Sequence, residues 1–128
     1  MRFLLDTHVV LWSLAQPERI SPAARERIVA AESLLFASII VVWETAVKLS
    51  LGKLELAPDW LEQIEARYAQ WRVTRLDISH AHCGRVAILP FHHRDPFDRL
   101  LVAQAQEENL SIVSADPALD AYGIERIW

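Results

Sequence analysis

An α/β fold built on a parallel sheet is what this sequence predicts, and three observations predict it. Short apolar runs alternate with longer segments of helical periodicity, the pattern of βαβ units. The first run, residues 2–5 (RFLL), does not alternate polar with apolar, as a strand covered on both faces requires. Apolar residues make up 52% of the 128 and charged residues 23%, enough to bury a core and too apolar for a disordered chain. With no linker, repeat or low-complexity tract, one domain over residues 1–128 is expected.

The elements follow in order. The first strand, 2–5, ends at Asp6, and residues 8–15 read as a helix. Ser21 and Pro22 open a second helix, serine as its N-cap and proline in its first turn, running to about Ala31. Leu34–Ala37 is the second strand. Residues 39–51 have the β-branched content of a strand, but their length and the helical spacing of their second half favour a helix stopped at Gly52. An amphipathic helix spans Pro58 to about Trp71, Val73–Ile78 is a third strand, and Ser79–Ile88 a further helix. Asp95 caps a long helix from Pro96 to about Asn109. Leu110–Ser114 is the fourth strand, Asp116-Pro117 opens a short helix, and Ile124–Trp128 closes the chain as a strand. Four or five parallel strands with helices on both faces result.

Composition excludes several chemistries. Three glycines and no G-x-x-x-x-G-K-[ST] or G-x-G-x-x-G leave no glycine-built phosphate loop. One cysteine, Cys83, allows no internal disulfide and no C-x-x-C motif, and a reducing cytosol suits it; Cys83 is read as a packing residue. The opening MRFLLDTHVVLW is no signal peptide, and the longest apolar stretch, near 34–43, is too short to cross a membrane. Thirteen basic against seventeen acidic residues give a net charge of −4. Nucleic acid gripped by bulk charge calls for a basic chain, so this one would need a local basic patch, metal ions in an acidic pocket, or a partner's charge.

Four carboxylates stand at informative places. Asp6 ends the first strand and Asp116 lies just past the fourth, at the strand ends where open α/β sheets bind ligands. Asp98 sits in the first turn of the late helix. Each aspartate also has an ordinary use at a helix start. Glu44 is harder to dismiss: its helical neighbours Ile40, Val41, Val47 and Leu51 are apolar, so it needs a partner, either Lys48 at i+4 or a cation in a pocket. Carboxylates gathered at one sheet edge stay ionised only with positive charge among them. Hard oxygen ligands suit Mg²⁺ or Mn²⁺, and such a cluster suits metal-assisted phosphodiester hydrolysis.

The stretches LLDTHVVLW (4–12), SIIVVWETAVKLSLGKLEL (38–56) and HHRDPFDRLLVAQAQEENLSIVSAD (92–116) resemble the PIN-domain ribonucleases, and more closely the VapC-type toxins of type II toxin–antitoxin modules. The resemblance runs in order along nearly the whole chain. It implies a three-layer α/β/α fold and a metal-dependent endoribonuclease. Its four acids fall on Asp6, Glu44, Asp98 and Asp116, holding one or two Mg²⁺ or Mn²⁺ ions for RNA cleavage. It also implies a homodimer and a cognate antitoxin protein that blocks the site; the cysteine count and the lack of a membrane span point to a cytoplasmic location without membrane attachment. One departure is Val41, where relatives often carry a small polar residue.

Around this quartet, Thr7 and Ser114 are candidates to orient carboxylates, and Asp95 is an auxiliary acid as well as an N-cap. Lys48, Arg94 and Arg99 are candidates for RNA phosphates. His80, His82, Cys83, His92 and His93 have no common zinc spacing, and His92 and His93 are placed on a loop near the site mouth. Trp12, Trp43 and Trp60 fall in apolar helical patterns. Two rival functions are a degenerate PIN domain that only binds RNA or a protein partner, and an aspartate-based phosphatase-like enzyme. The second would want D-x-D where the chain reads Asp6-Thr7-His8.

Overall fold

The computed structural model describes residues 1–128. Five parallel strands form its sheet: β1 (Arg2–Leu5), β2 (Leu34–Ser38), β3 (Thr74–Leu76), β4 (Ser111–Val113) and β5 (Arg126–Ile127), in the order β3-β2-β1-β4-β5. β1 is central. Phe3 pairs with Leu35 on one side and with Ser111 on the other, and Leu5 pairs with Val113. β3 and β5 lie at the edges and are shorter than the segments 73–78 and 124–128 expected for them, because each has a neighbour on one side only.

Strand alternation divides the core between two layers of helix. Phe3, Leu5, Leu35, Ala37 and Val113 point to one face. There they meet Val9 and Val10 of α1 (Thr7–Ala15), Ala24 and Ile28 of α2 (Pro22–Val29), and Ile64 and Tyr68 of α4 (Trp60–Trp71). Leu4 and Ile112 point to the other face, against Leu101, Val102 and Ala105 of α6 (Pro96–Glu108) and Leu89 just after α5 (His80–Ile88). The helix α3 (Ile39–Ser50) borders both, with Val41 in the first cluster and Ile40 in the second. Val41 is fully buried and fills core. Short 3₁₀ turns at Pro17–Arg19 and Pro117–Tyr122 complete the chain.

The helix boundaries have local causes. Ser21 Oγ accepts the Ala24 N–H and Asp95 Oδ1 accepts the Phe97 N–H, in both cases ahead of proline in the first turn. Asn109 ends α6 at φ 54°, a left-handed conformation that asparagine tolerates. The segment 39–51 is indeed helical, ending at Ser50, with Gly52 at φ 69° beyond it.

Three expectations need correction. Cys83 is exposed; the residue α5 buries is its neighbour His82, which receives the Ser79 N–H on Nδ1 and contacts Glu108 through Nε2 at 2.8 Å. Trp43 is 60% exposed, because α3 turns Ile40, Val41, Glu44 and Thr45 inward and leaves Trp43 outside that arc. Arg99 is not a surface cation. Its buried guanidinium donates to the carbonyls of Pro90, Val86 and Leu89 and lies over the Phe91 ring, so it fastens the turn after α5. No helix is long and apolar enough to cross a membrane.

Candidate metal centre

The order of strands places a topological switch between β1 and β4, and the chain leaves both at the same edge of the sheet. Asp6 follows β1 at once. Its Oδ1 accepts the N–H of Thr7, capping α1, and its Oδ2 accepts the Ser114 hydroxyl at 2.6 Å, across the gap from the end of β4. The Ser114 oxygen also accepts the Asp116 N–H at 3.1 Å. One buried hydroxyl therefore sets two of the acids relative to each other.

Glu44 reaches the same edge from α3, and it is buried. Thr7 Oγ1 donates to Glu44 Oε1 at 2.7 Å, while Lys48, one turn on, forms an ion pair with Oε2. The lysine is therefore the partner of Glu44, and the pair lines a cleft. That cleft, about 290 Å³, is walled by Asp6, Thr7, His8, Glu44, Asp95 and Asp98 among others. The charge of Lys48 is committed to Glu44, so in this state Lys48 is no free phosphate contact. Arg94 is exposed on the loop before α6.

Asp98 comes from the first turn of α6, whose N-cap is Asp95. Burial, reinforced by the charges of Asp6, Asp95 and Glu44, pushes the Asp98 carboxyl up to about 7, against the opposing pull of His93. Asp116 lies on the rim, a third exposed. Its partial burial is outweighed by the Ala118 N–H and by His93, which hold it below the ordinary carboxylate range.

Two histidines complete the site: sequence reasoning places His93 on a loop near the site mouth without a role and assigns none to His8. His8 accepts the Ala115 N–H on Nε2, so its proton sits on Nδ1, 3.5 Å from Asp6 Oδ2. Burial lowers its pKa despite the acids nearby, so the ring stays neutral. His93 contacts Asp116 Oδ2 at 3.0 Å and Asp98 Oδ2 at 3.2 Å through Nε2. The signal that could have found His93 is its place just before a helix whose first turn carries Asp95 and Asp98.

The donor set fits a small divalent cation. Its oxygens are hard and come from four separate segments of chain. Burial and then the charges of Asp6, Asp95 and Glu44 raise the Asp98 carboxyl to about 7, and in the cleft's lining four acids outnumber the two lysines, Lys48 and Lys53. A phosphodiester, itself anionic, could approach such a cleft only after a cation had reversed its sign.

Comparison with known proteins agrees with this architecture. The chain is 32% identical over 124 residues to Ribonuclease VapC22 of Mycobacterium tuberculosis, an alignment covering 93% of this chain and 90% of that protein. Its fold superposes on a chain of the VapBC2 crystal structure from Rickettsia felis, bound to a promoter DNA fragment, with a TM-score of 0.75 at 15% identity and full coverage of both chains. A chain of VapBC-1 from nontypeable Haemophilus influenzae gives 0.68 at 16% identity, covering 98% of this chain and 96% of that one. A sequence model of the PIN domain matches residues 3–125. By sequence and by fold, then, the chain belongs to the PIN domain family.

Proposed function

We propose that this protein is an endoribonuclease dependent on Mg²⁺ or Mn²⁺ and acts as the toxin of a type II toxin–antitoxin pair. The observation that carries the reading is the convergence of Asp6, Glu44 and Asp98 on one cleft, with Asp116 tied to it through Ser114 and His93. Asp6, Glu44, Asp98 and Asp116 would hold one or two ions. A bound divalent ion supplies an activated water and offsets charge developing on the phosphate.

The chain's own residues prepare the cleft for that chemistry. Thr7 and Ser114 each donate to one carboxylate, fixing Glu44 and Asp6 in orientation. Lys48 pairs with the buried Glu44 and balances its charge. Asp95 holds the start of α6 and so the place of Asp98.

RNA as the substrate is supported by the ribonuclease name of the relative, and a cognate antitoxin by fold neighbours solved as VapBC. The protein is taken as one domain acting in the cytoplasm as a homodimer, for which exposed Trp43 and Ile39 on α3 provide apolar surface. The test is cleavage of RNA by the purified, partner-free protein. Cleavage should require Mg²⁺ or Mn²⁺, stop with chelator, and vanish in Asp6→Ala and Asp98→Ala. Cleavage that survives chelation or either substitution refutes the metal mechanism. Specific Mn²⁺ binding with no cleavage favours a domain that only binds.

A further inference from the structure

His93 is a non-acidic side chain that touches the carboxylates of two members of the quartet, where Ser114 reaches one carboxylate and one backbone N–H. A single atom, Nε2, lies 3.0 Å from Asp116 Oδ2 and 3.2 Å from Asp98 Oδ2. The other ring nitrogen, Nδ1, accepts the Asp95 N–H at 3.1 Å. A neutral imidazole that accepts at Nδ1 carries its proton on Nε2. An N–H donor, not a lone pair, therefore stands between the two carboxylates. The backbone on either side is also fixed. The His93 N–H donates to the Tyr122 hydroxyl at 2.9 Å, and Arg99 holds the Pro90 carbonyl. The nitrogen and the two oxygens lie within 4.8 Å of one another, a span on the order of two metal–oxygen bonds.

We propose that His93 is a positioning residue that competes with the divalent ion. In the metal-free protein its Nε2–H bridges Asp98 and Asp116, and an ion gains that pair only when the ring swings aside. The proposal rests on the metal-nuclease reading above. It is opposite in sign to the more familiar role of histidine as ligand. A ligating Nε2 must offer its lone pair, which moves the ring proton to Nδ1. That proton would face the Asp95 N–H, donor against donor, so the loop geometry disfavours ligation. The bridge keeps the two acids at a workable separation before an ion arrives, at the cost of weaker ion binding.

The experiment is a Mn²⁺ titration, with free Mn²⁺ followed by electron paramagnetic resonance, on wild type, His93→Ala and His93→Gln. RNA cleavage is assayed on the same samples. Glutamine keeps an N–H donor at about the reach of Nε2; alanine removes it. His93→Ala should bind Mn²⁺ about tenfold more tightly, the scale of one hydrogen bond to a charged group, and His93→Gln should stay within about threefold of wild type. Equal or weaker binding by His93→Ala overturns the proposal. Pulsed resonance on Mn²⁺-loaded wild type gives a reading that does not depend on the alanine variant folding. The absence of a ¹⁴N coupling assignable to His93 supports competition, whereas a coupling present in wild type and lost in His93→Gln shows ligation and overturns it. Metal-dependent cleavage with the affinity order reversed removes only the role of His93. A folded wild type that neither binds Mn²⁺ nor cleaves RNA removes the nuclease reading as well.

Discussion

Asp6 and Glu44 are fixed by neighbours from the most buried stretches of the chain, whereas Asp98 and Asp116 share one imidazole from a loop. The first pair is almost fully buried, and Thr7 and Ser114, beside the central strands, donate to it, with Lys48 near the end of α3 pairing with Glu44 from a half-exposed position. The second pair is partly exposed and set by helix-start geometry and by His93. The difference is one of rigidity. The buried pair inherits the order of the core, while Asp98 and Asp116 depend on their helix starts and on the His93 loop, Asp116 keeping one tie to the core through Ser114.

The largest expected effect breaks the ordered half. Asp6→Ala removes a carboxylate that no other residue replaces, and RNA cleavage should fall at least about a thousandfold, while circular dichroism stays native. If rate falls only in step with folded fraction, Asp6 is structural and the division into halves is wrong.

On the other half, Asp98 gives a pH test. Its folded pKa, about 7, lies above the ordinary 3.8 of an aspartate, so the folded state holds the proton more tightly than the unfolded chain. Stability of the metal-free protein should therefore decline as pH rises from about 4 to about 7 and then level off. Asp98→Asn, which cannot ionise, should be more stable than wild type in chelator at pH 8 by roughly 2–4 kcal/mol. That gap should close near pH 4. Urea unfolding at both pH values measures it, and an unchanged gap contradicts the crowding of acids around Asp98.

Arg99→Lys should cost about 2–4 kcal/mol, because a lysine cannot reproduce a fork that reaches three carbonyls at once. The loop carrying His93 should loosen with it, which amide hydrogen exchange would register. Cleavage per folded molecule should change little; a selective loss of RNA affinity would return Arg99 to the role of phosphate contact. Thr7→Val leaves Glu44 Oε1 without its donor and should cost about 1–3 kcal/mol in chemical denaturation. Cys83→Ser, at an exposed position outside either half, should stay within about 0.5 kcal/mol.

The same contrast explains how much of the molecule is legible in its sequence. β1, α3 and α6 are legible because periodicity and capping are local: RFLL ending at Asp6, the run 39–51, Asp95-Pro96 opening a helix. The four acids can be singled out because each sits where a strand ends, where a helix begins, or inside an apolar face. Arg99 and Cys83 defeat a local reading because burial at a helix surface depends on what another helix brings to it, and α5 brings its carbonyls to one and turns the other outward. The hydroxyl bridge from Ser114 to Asp6 joins residues 108 apart, and no local pattern encodes such a contact. The role of His93 is hidden for the same reason: its Asp116 partner lies 23 residues away.

That long bridge has a consequence for synthesis. β1 leaves the ribosome well before its neighbour β4, and the serine that braces Asp6 follows that acid by 108 residues. At ~5–20 residues per second, the central strand waits about 5–20 s for the segment that finishes the acidic edge. Until that segment emerges the growing polypeptide has no assembled acidic cleft, so a nuclease of this architecture gains its four-acid edge only after β4 has been made.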